Sequence, residues 1–102
     1  MRRGSLFMKN MTEVAVSSLG AGRFGVEVRG LGLITSHTVT VPEGMADELG
    51  WGGAAETELV RESFVFLLER EPPSAILRTF SLDVIGRYFP EYPTEIRRRL
   101  RA

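Results

Sequence analysis

The chain has no cysteine, a single histidine and a single lysine in 102 residues. Without thiols it can form no disulfide, no thiolate metal site and no thiol nucleophile. One histidine, His37, cannot make a histidine metal cluster, and a serine triad would have no other imidazole to draw on. No serine sits in a Gly-x-Ser-x-Gly elbow. No stretch approaches the ~20 apolar residues of a membrane span. The opening MRRGSLFMKNM has too short an apolar run for a signal peptide, and no small-residue cleavage site follows it. Net charge is also missing: 13 basic and 13 acidic residues cancel, so no global field draws the chain to nucleic acid or to a membrane. These absences leave no expected cofactor, metal ion or membrane partner. A reducing cytoplasm fits a cysteine-free chain and is the expected location.

What is present is ordinary in amount and uneven in placement. At 43% hydrophobic and 25% charged, the composition is that of a globular domain with room for one core. Arginine supplies nearly all the positive charge, a bias that a GC-rich coding genome explains without any functional demand. From Glu43 to Glu71 there are eight acids and two bases. The remainder is correspondingly basic, so opposite charges are available to pair within the fold or between two copies. Met8 and Met11 are alternative starts, and residues 1–10 are expected to be a flexible terminus ahead of a single α+β domain over 11–102.

The first half reads as strands. In RFGVEVRG, Phe24, Val26 and Val28 alternate with Arg23, Gly25, Glu27 and Arg29, the period-two signature of one buried and one wet face. TEVAVSSL carries Val14 and Val16 in the same alternation, and the β-branched run LITSHTVTV continues until Pro42. GAG at 20–22 and GLG at 30–32 supply hairpin turns, which predicts a three-stranded antiparallel meander. Arg23, Glu27 and Arg29 mark its outer face as wet, and neither edge strand carries lysine or an internal proline as protection.

The second half reads as helices. Pro42 opens a short turn through EGMADEL that Gly50 closes, and Trp51 is the large anchor of the connector GWGGAAE. The main helix is ETELVRESFVFLLERE, with Val60, Phe64, Leu67 and Leu68 on one stripe and an unbroken apolar run from Phe64 to Leu68. Such a helix must be covered on more than one side, by the sheet and by later helices. Pro72 and Pro73 end it. Ser74 and Ser81 then look like N-caps of two short helices, SAILRTF and SLDVIGRYF. Pro93 opens a last one with Tyr92, Ile96 and Leu100 as its inward stripe. The expected architecture is α+β: a meander packed by one long helix and about three short C-terminal helices.

Few groupings suggest chemistry. His37 has only Ser36 and Thr38 beside it, and a lone strand histidine is most simply a surface or cross-strand residue. Glu58 and Glu62, one helical turn apart, read as a solvated face. GAGRFG matches Gly-x-Gly-x-x-Gly by letters, but it runs into an alternating strand where phosphate cradling needs a helix. SAILRTFSLDVIGRYF could form a helix-turn-helix, yet its second helix is apolar with an acidic start and suits core packing better. In TEIRRRLRA, Arg97, Arg98, Arg99 and Arg101 fan over the outer face of the last helix. Cations in a final turn oppose the partial negative charge of unpaired carbonyls, so a solvated helix end is the first reading. A contact with an acidic protein surface is the second, and a nucleic-acid contact the third. RYFPEYP concentrates Tyr88, Phe89 and Tyr92 between prolines. It reads as a rigid corner, or as a preorganised contact surface together with Trp51 and the arginines.

The outline of a small meander followed by a long helix is similar to small antitoxin-type regulators of the HicB sort. That likeness is one of element order, and none of their diagnostic motifs stands in these residues. With no catalytic set in sight, the expectation is a non-enzymatic interaction or regulatory protein acting through self-association or a protein partner. A nucleic-acid-binding regulator using the arginine-rich helix is the alternative. A small enzyme or ligand carrier with a pocket between sheet and helices is the third reading.

Overall fold

A computed structural model describes residues 12–30, 32–52 and 56–99. The proposed flexible terminus 1–10, Leu100 and Arg101 lie outside the described residues. Three eight-residue strands, β1 (Glu13–Gly20), β2 (Arg23–Gly30) and β3 (Leu33–Thr40), form the antiparallel meander that the alternation predicts. Register aligns Val14 with Val28 and Thr35, Val16 with Val26 and His37, and Ser18 with Phe24 and Val39. Those rows face inward. The intervening rows, such as Ala15–Glu27–Ser36, face outward. A one-residue slip would turn Phe24, Val26 and Val28 to water, so the buried face enforces this register.

The sheet has a fourth strand that the sequence does not announce. β4 (Thr79–Ser81) lies parallel to β3, giving the order β1-β2-β3-β4. It occupies part of the stretch expected to be a helix from Ser74 to Phe80. Only Pro73–Ala75 turns, as a single 3-10 unit, and Ile76 is already extended at φ −79 and ψ 133. The physical reason lies across the chain. Alternate residues of β3 aim their backbone groups away from β2, and Thr38 N–H donates to the Arg78 carbonyl at 2.7 Å. A third meander strand needs a partner on that side, and the Thr79–Phe80 pair suits an extended backbone. The helix-turn-helix arrangement falls with the first of its two helices.

Between β3 and β4 the chain makes α1 (Met45–Glu48) and α2 (Glu56–Leu68). α2 is 13 residues long and stops short of Glu71. Pro72 disfavours a helical backbone at the residue before it, and the last turn loosens accordingly. After β4, a 3-10 turn at Leu82–Val84 leads into α3 (Ile85–Tyr88), and α4 (Tyr92–Arg99) ends the described chain. Ser81 stands at the start of that turn but makes no side-chain cap. α2 therefore lies at the centre of the packing. Phe64 meets His37 and Phe80 on the sheet side, with ring centroids 5.3 and 5.9 Å away. Phe66 meets Tyr92 and Phe89 edge-on at 5.2 and 5.9 Å. The buried residues form one cluster spanning sheet and helices.

The β1–β2 turn holds a local fault. Ala21 and Gly22 are the two central residues, at φ 55 and φ 75, which is the type I′ geometry of a tight hairpin. Gly22 suits it, and its carbonyl accepts from Val41 N–H at 2.8 Å. Ala21 is the only described non-glycine residue at positive φ, where a Cβ crowds the following carbonyl. Ala21→Asn supplies the residue this turn position prefers. It should raise stability by about 0.5–1 kcal/mol, read as a higher urea midpoint at unchanged slope. An unchanged or lower midpoint contradicts the strain at Ala21.

Candidate functional site

The arginine-rich end is knitted into the fold rather than standing apart. Arg99 is only 15% exposed in its side chain and reaches Glu69 at 2.7 Å, Glu95 at 3.4 Å and Glu62 at 3.9 Å. Burial works against its charge, but the hydrogen bond and charge of Glu69, then the charges of Glu95 and Glu62, outweigh it and hold the guanidinium above its ordinary pKa. Arg97 donates to the carbonyl of Glu48 at the end of α1, at 3.0 Å. Arg98 is exposed and has only a long contact with Glu95, at 3.5 Å. Arg70 on the acidic segment covers the Phe66 ring at 3.6 Å and pairs with Glu91 at 2.9 Å. Part of the charge segregation in the sequence thus closes within the chain, through Arg99 on Glu62 and Glu69 and through Arg70 on Glu91.

The aromatic candidates divide in the same way. Trp51 is buried, and its indole N–H donates to the Ile96 carbonyl at 3.1 Å, fixing the connector to α4. Tyr92 is buried at the start of α4. Neither offers surface to a partner. Phe89 is half-buried against Phe66, and Tyr88 stands out at 69% exposure. The corner RYFPEYP therefore points one aromatic outward and turns the other two into the core.

His37, expected at the surface or across a strand, is 4% exposed and faces inward on β3. Its parity with Val39 and Val41 was the available signal. Nδ1 lies 2.8 Å from the Leu77 carbonyl and Nε2 2.9 Å from the Thr35 hydroxyl. A carbonyl can only accept, so Nδ1 donates to it, and in the neutral ring Nε2 accepts from Thr35. Both nitrogens are used in tying the approach to β4 against the sheet, which leaves neither for a substrate. Among the described residues no cluster of three or more His, Asp or Glu side chains could hold a metal ion. No described helix is long and apolar enough to cross a membrane.

Two features remain open. The first is the outer edge of β1. The Val14 carbonyl accepts a bond from Arg61 Nε at 3.4 Å, so it points away from β2. Backbone direction alternates along a strand, and Val16 and Ser18 present their N–H and C=O groups on the same side, away from β2 and unpaired among the described strands. Val14 and Val16 are only half-buried on the inner face. Glu58 holds the Arg61 guanidinium in place beside this edge. The second is an apolar groove of about 300 Å³ where β4, α3 and the end of α2 meet. Leu67, Ile76, Phe80 and Ile85 are among its lining residues, with Leu77 and Tyr88 exposed on its walls. Glu71 is its one charged lining residue among the described residues.

Tyr92 gives the core a measurable pH signature. Ser63 Oγ donates to the Leu59 carbonyl at 2.7 Å, so its lone pairs are left to accept from the Tyr92 hydroxyl, also at 2.7 Å. Burial, the dominant cause, pushes the Tyr92 phenol up to about 12. An unfolded tyrosine ionises near 10. The stability from keeping Tyr92 neutral is therefore fully present below about pH 10 and is lost as pH rises toward 12. The loss should approach about 2–3 kcal/mol. Tyr92→Phe should cost about 1 kcal/mol at neutral pH and flatten this alkaline slope. An equal slope in both proteins, measured by denaturation from pH 8 to pH 11.5, contradicts the assignment.

No protein-family model matches the chain, and neither a curated protein nor a solved structure shows significant similarity to it.

Proposed function

We propose that this is a non-enzymatic interaction protein that works as a self-paired dimer, joined through the outer edge of β1. The observation that carries the reading is the row of outward backbone groups at Val14, Val16 and Ser18, inferred from the direction of the Val14 carbonyl. A second copy satisfies them without a new partner. A two-fold axis at Val16 sets Val16 against its counterpart and Val14 against Ser18, and it exchanges roughly six main-chain hydrogen bonds. Glu13, the only charge on the strand, then faces Leu19 of the other copy, so no like charges oppose. The half-buried Val14 and Val16 gain cover, and the two sheets become one continuous sheet.

Arg61 sets the strength of this pairing. Its bond to the Val14 carbonyl must be released for the second copy to dock, and Glu58 helps to hold it. Arg61 thus guards the edge, which keeps the association reversible and discourages open-ended stacking. The arginine-rich end supports a nucleic-acid role less well, because Arg99 and Arg97 already have partners within the chain.

Light scattering across a concentration series tests the dimer. The native chain should shift from monomer mass toward twice that mass. Arg61→Ala should move the shift to lower concentration, by about three- to fivefold. Val16→Pro removes an outward N–H without breaking a bond to β2, and it should abolish the shift while the circular dichroism spectrum stays native. A native chain that is monomeric at every concentration, or a Val16→Pro variant that dimerises as well as the native chain, defeats the proposal.

A further inference from the structure

We infer that the groove between β4, α3 and the end of α2 is a binding site for a small organic ammonium ion with an apolar or aromatic body. Its size stands at the lower end for small-molecule sites, at about 300 Å³. Its lining is almost wholly apolar: Leu67, Ile76, Phe80 and Ile85 contribute aliphatic and aromatic surface, and Val84 and Phe89 extend it. Leu77, 52% exposed, and Tyr88, 69% exposed, leave large apolar side chains open to solvent at the same place. A core that buries Phe64 and Leu59 completely has the means to cover such residues, and here it does not.

The charge decides which ligand fits. Glu71 is the only ionisable carboxylate in the lining, and it makes no ion pair among the described residues. Its neighbours differ. Glu69 is held by Arg70 and Arg99, and Arg70 is shared with Glu91. Neither Arg78, just before β4, nor Arg70, whose guanidinium lies 6.0 Å from the Phe89 ring centroid and pairs with Glu91, is a lining residue, so among the described residues no cation lines the groove. A carboxylate in the same lining as the exposed Tyr88 ring favours a cation with an apolar body. The body fills the groove, and the ammonium group meets the carboxylate and the face of the exposed Tyr88 ring. A neutral ligand gains only the first of these contacts, and an anion is repelled.

The floor of the groove is also held in place. The Leu77 carbonyl is bonded to His37, and Thr38 holds the carbonyl of Arg78, so the wall from Ile76 to Phe80 is anchored to the sheet by both its backbone and a buried side chain. A site whose wall is fixed before the ligand arrives loses less entropy on binding. This inference does not rest on pairing through β1: the groove's wall is β4, at the opposite end of the strand order, although Glu71 also borders a second hollow beside Thr12 and Val14.

Three probes of nearly equal shape separate the possibilities: 2-phenylethylammonium, neutral 2-phenylethanol and anionic 3-phenylpropanoate. Each is titrated into the full chain and followed by backbone amide shifts at a fixed protein concentration. The ammonium probe should saturate, moving Ile76, Leu77, Phe80 and Tyr88, and should bind at least about threefold more tightly than the alcohol. Glu71→Gln should remove that preference, and Tyr88→Ala should weaken both probes. Neither side chain has a hydrogen-bond or ion-pair partner among the described residues, so both variants should keep the native spectrum elsewhere. The inference is overturned if the alcohol or the anion binds as well as the cation, if Glu71→Gln leaves the preference intact, or if no groove amide moves. It is overturned too if those amides move with protein concentration alone, since a second copy then covers the groove.

Discussion

Phe64 and Phe66 are two residues apart on α2, which puts them about 200° apart around its axis. No single surface can cover both. The sheet takes Phe64, through His37 and Phe80, and α4 takes Phe66, through Tyr92 and with Phe89 from the corner before it. Most of the remaining architecture follows from this one demand. The C-terminal third must return over α2, and the proline-bounded corner at Phe89 to Pro93 is what turns it back. Trp51 then bonds to the backbone of α4 from the other side, which locks the connector before α2 to the helix after it.

Charge finishes what the aromatic rings begin. The acidic face of α2 and the basic face of α4 lie within reach, and Arg99 settles among Glu62, Glu69 and Glu95 against the edge of the Phe66 environment. Surface ion pairs contribute little to stability one at a time. Their value here is orientation: they select which face of α4 turns toward α2, once the apolar stripe of Tyr92 and Ile96 has docked. The outermost cations, Arg97 and Arg98, remain near solvent as the end of a helix would have them.

The meander was legible because its alternation has two independent confirmations, the glycine turns at 20–22 and 30–32 and the β-branched run of β3. α2 was legible from five consecutive apolar residues, which no half-wet helix carries. β4 was not. Thr79–Ser81 is three residues long, too short for a period to show, and a serine before an apolar run looks like a cap whether or not a helix follows. The bond from Thr38 to Arg78, which decides the matter, joins residues forty apart and leaves no local trace. His37 was misplaced for a different reason: polarity argued for the surface, whereas parity with Val39 argued for the core, and the buried partners that reconcile the two lie on Thr35 and Leu77. For the candidate sites, the sequence showed an unprotected edge but not the guanidinium that leans over it. The groove was invisible, since its walls come from three separate segments.

The same short strand has a kinetic meaning. Each hairpin of the meander closes a loop of a few residues, whereas β3 and β4 meet only after about forty residues have been drawn together. Loop closure grows with the logarithm of length, so that junction carries about 2 kcal/mol more ordering entropy than a tight turn. Its few backbone bonds are a small return on that cost, and the packing of Phe80 on Phe64, with Leu82 and Ile85 buried in the same core, must supply the rest. Folding of the sheet is therefore split in time. Three strands can register by local zipping, while the fourth waits on the collapse of a helix that follows them in the chain.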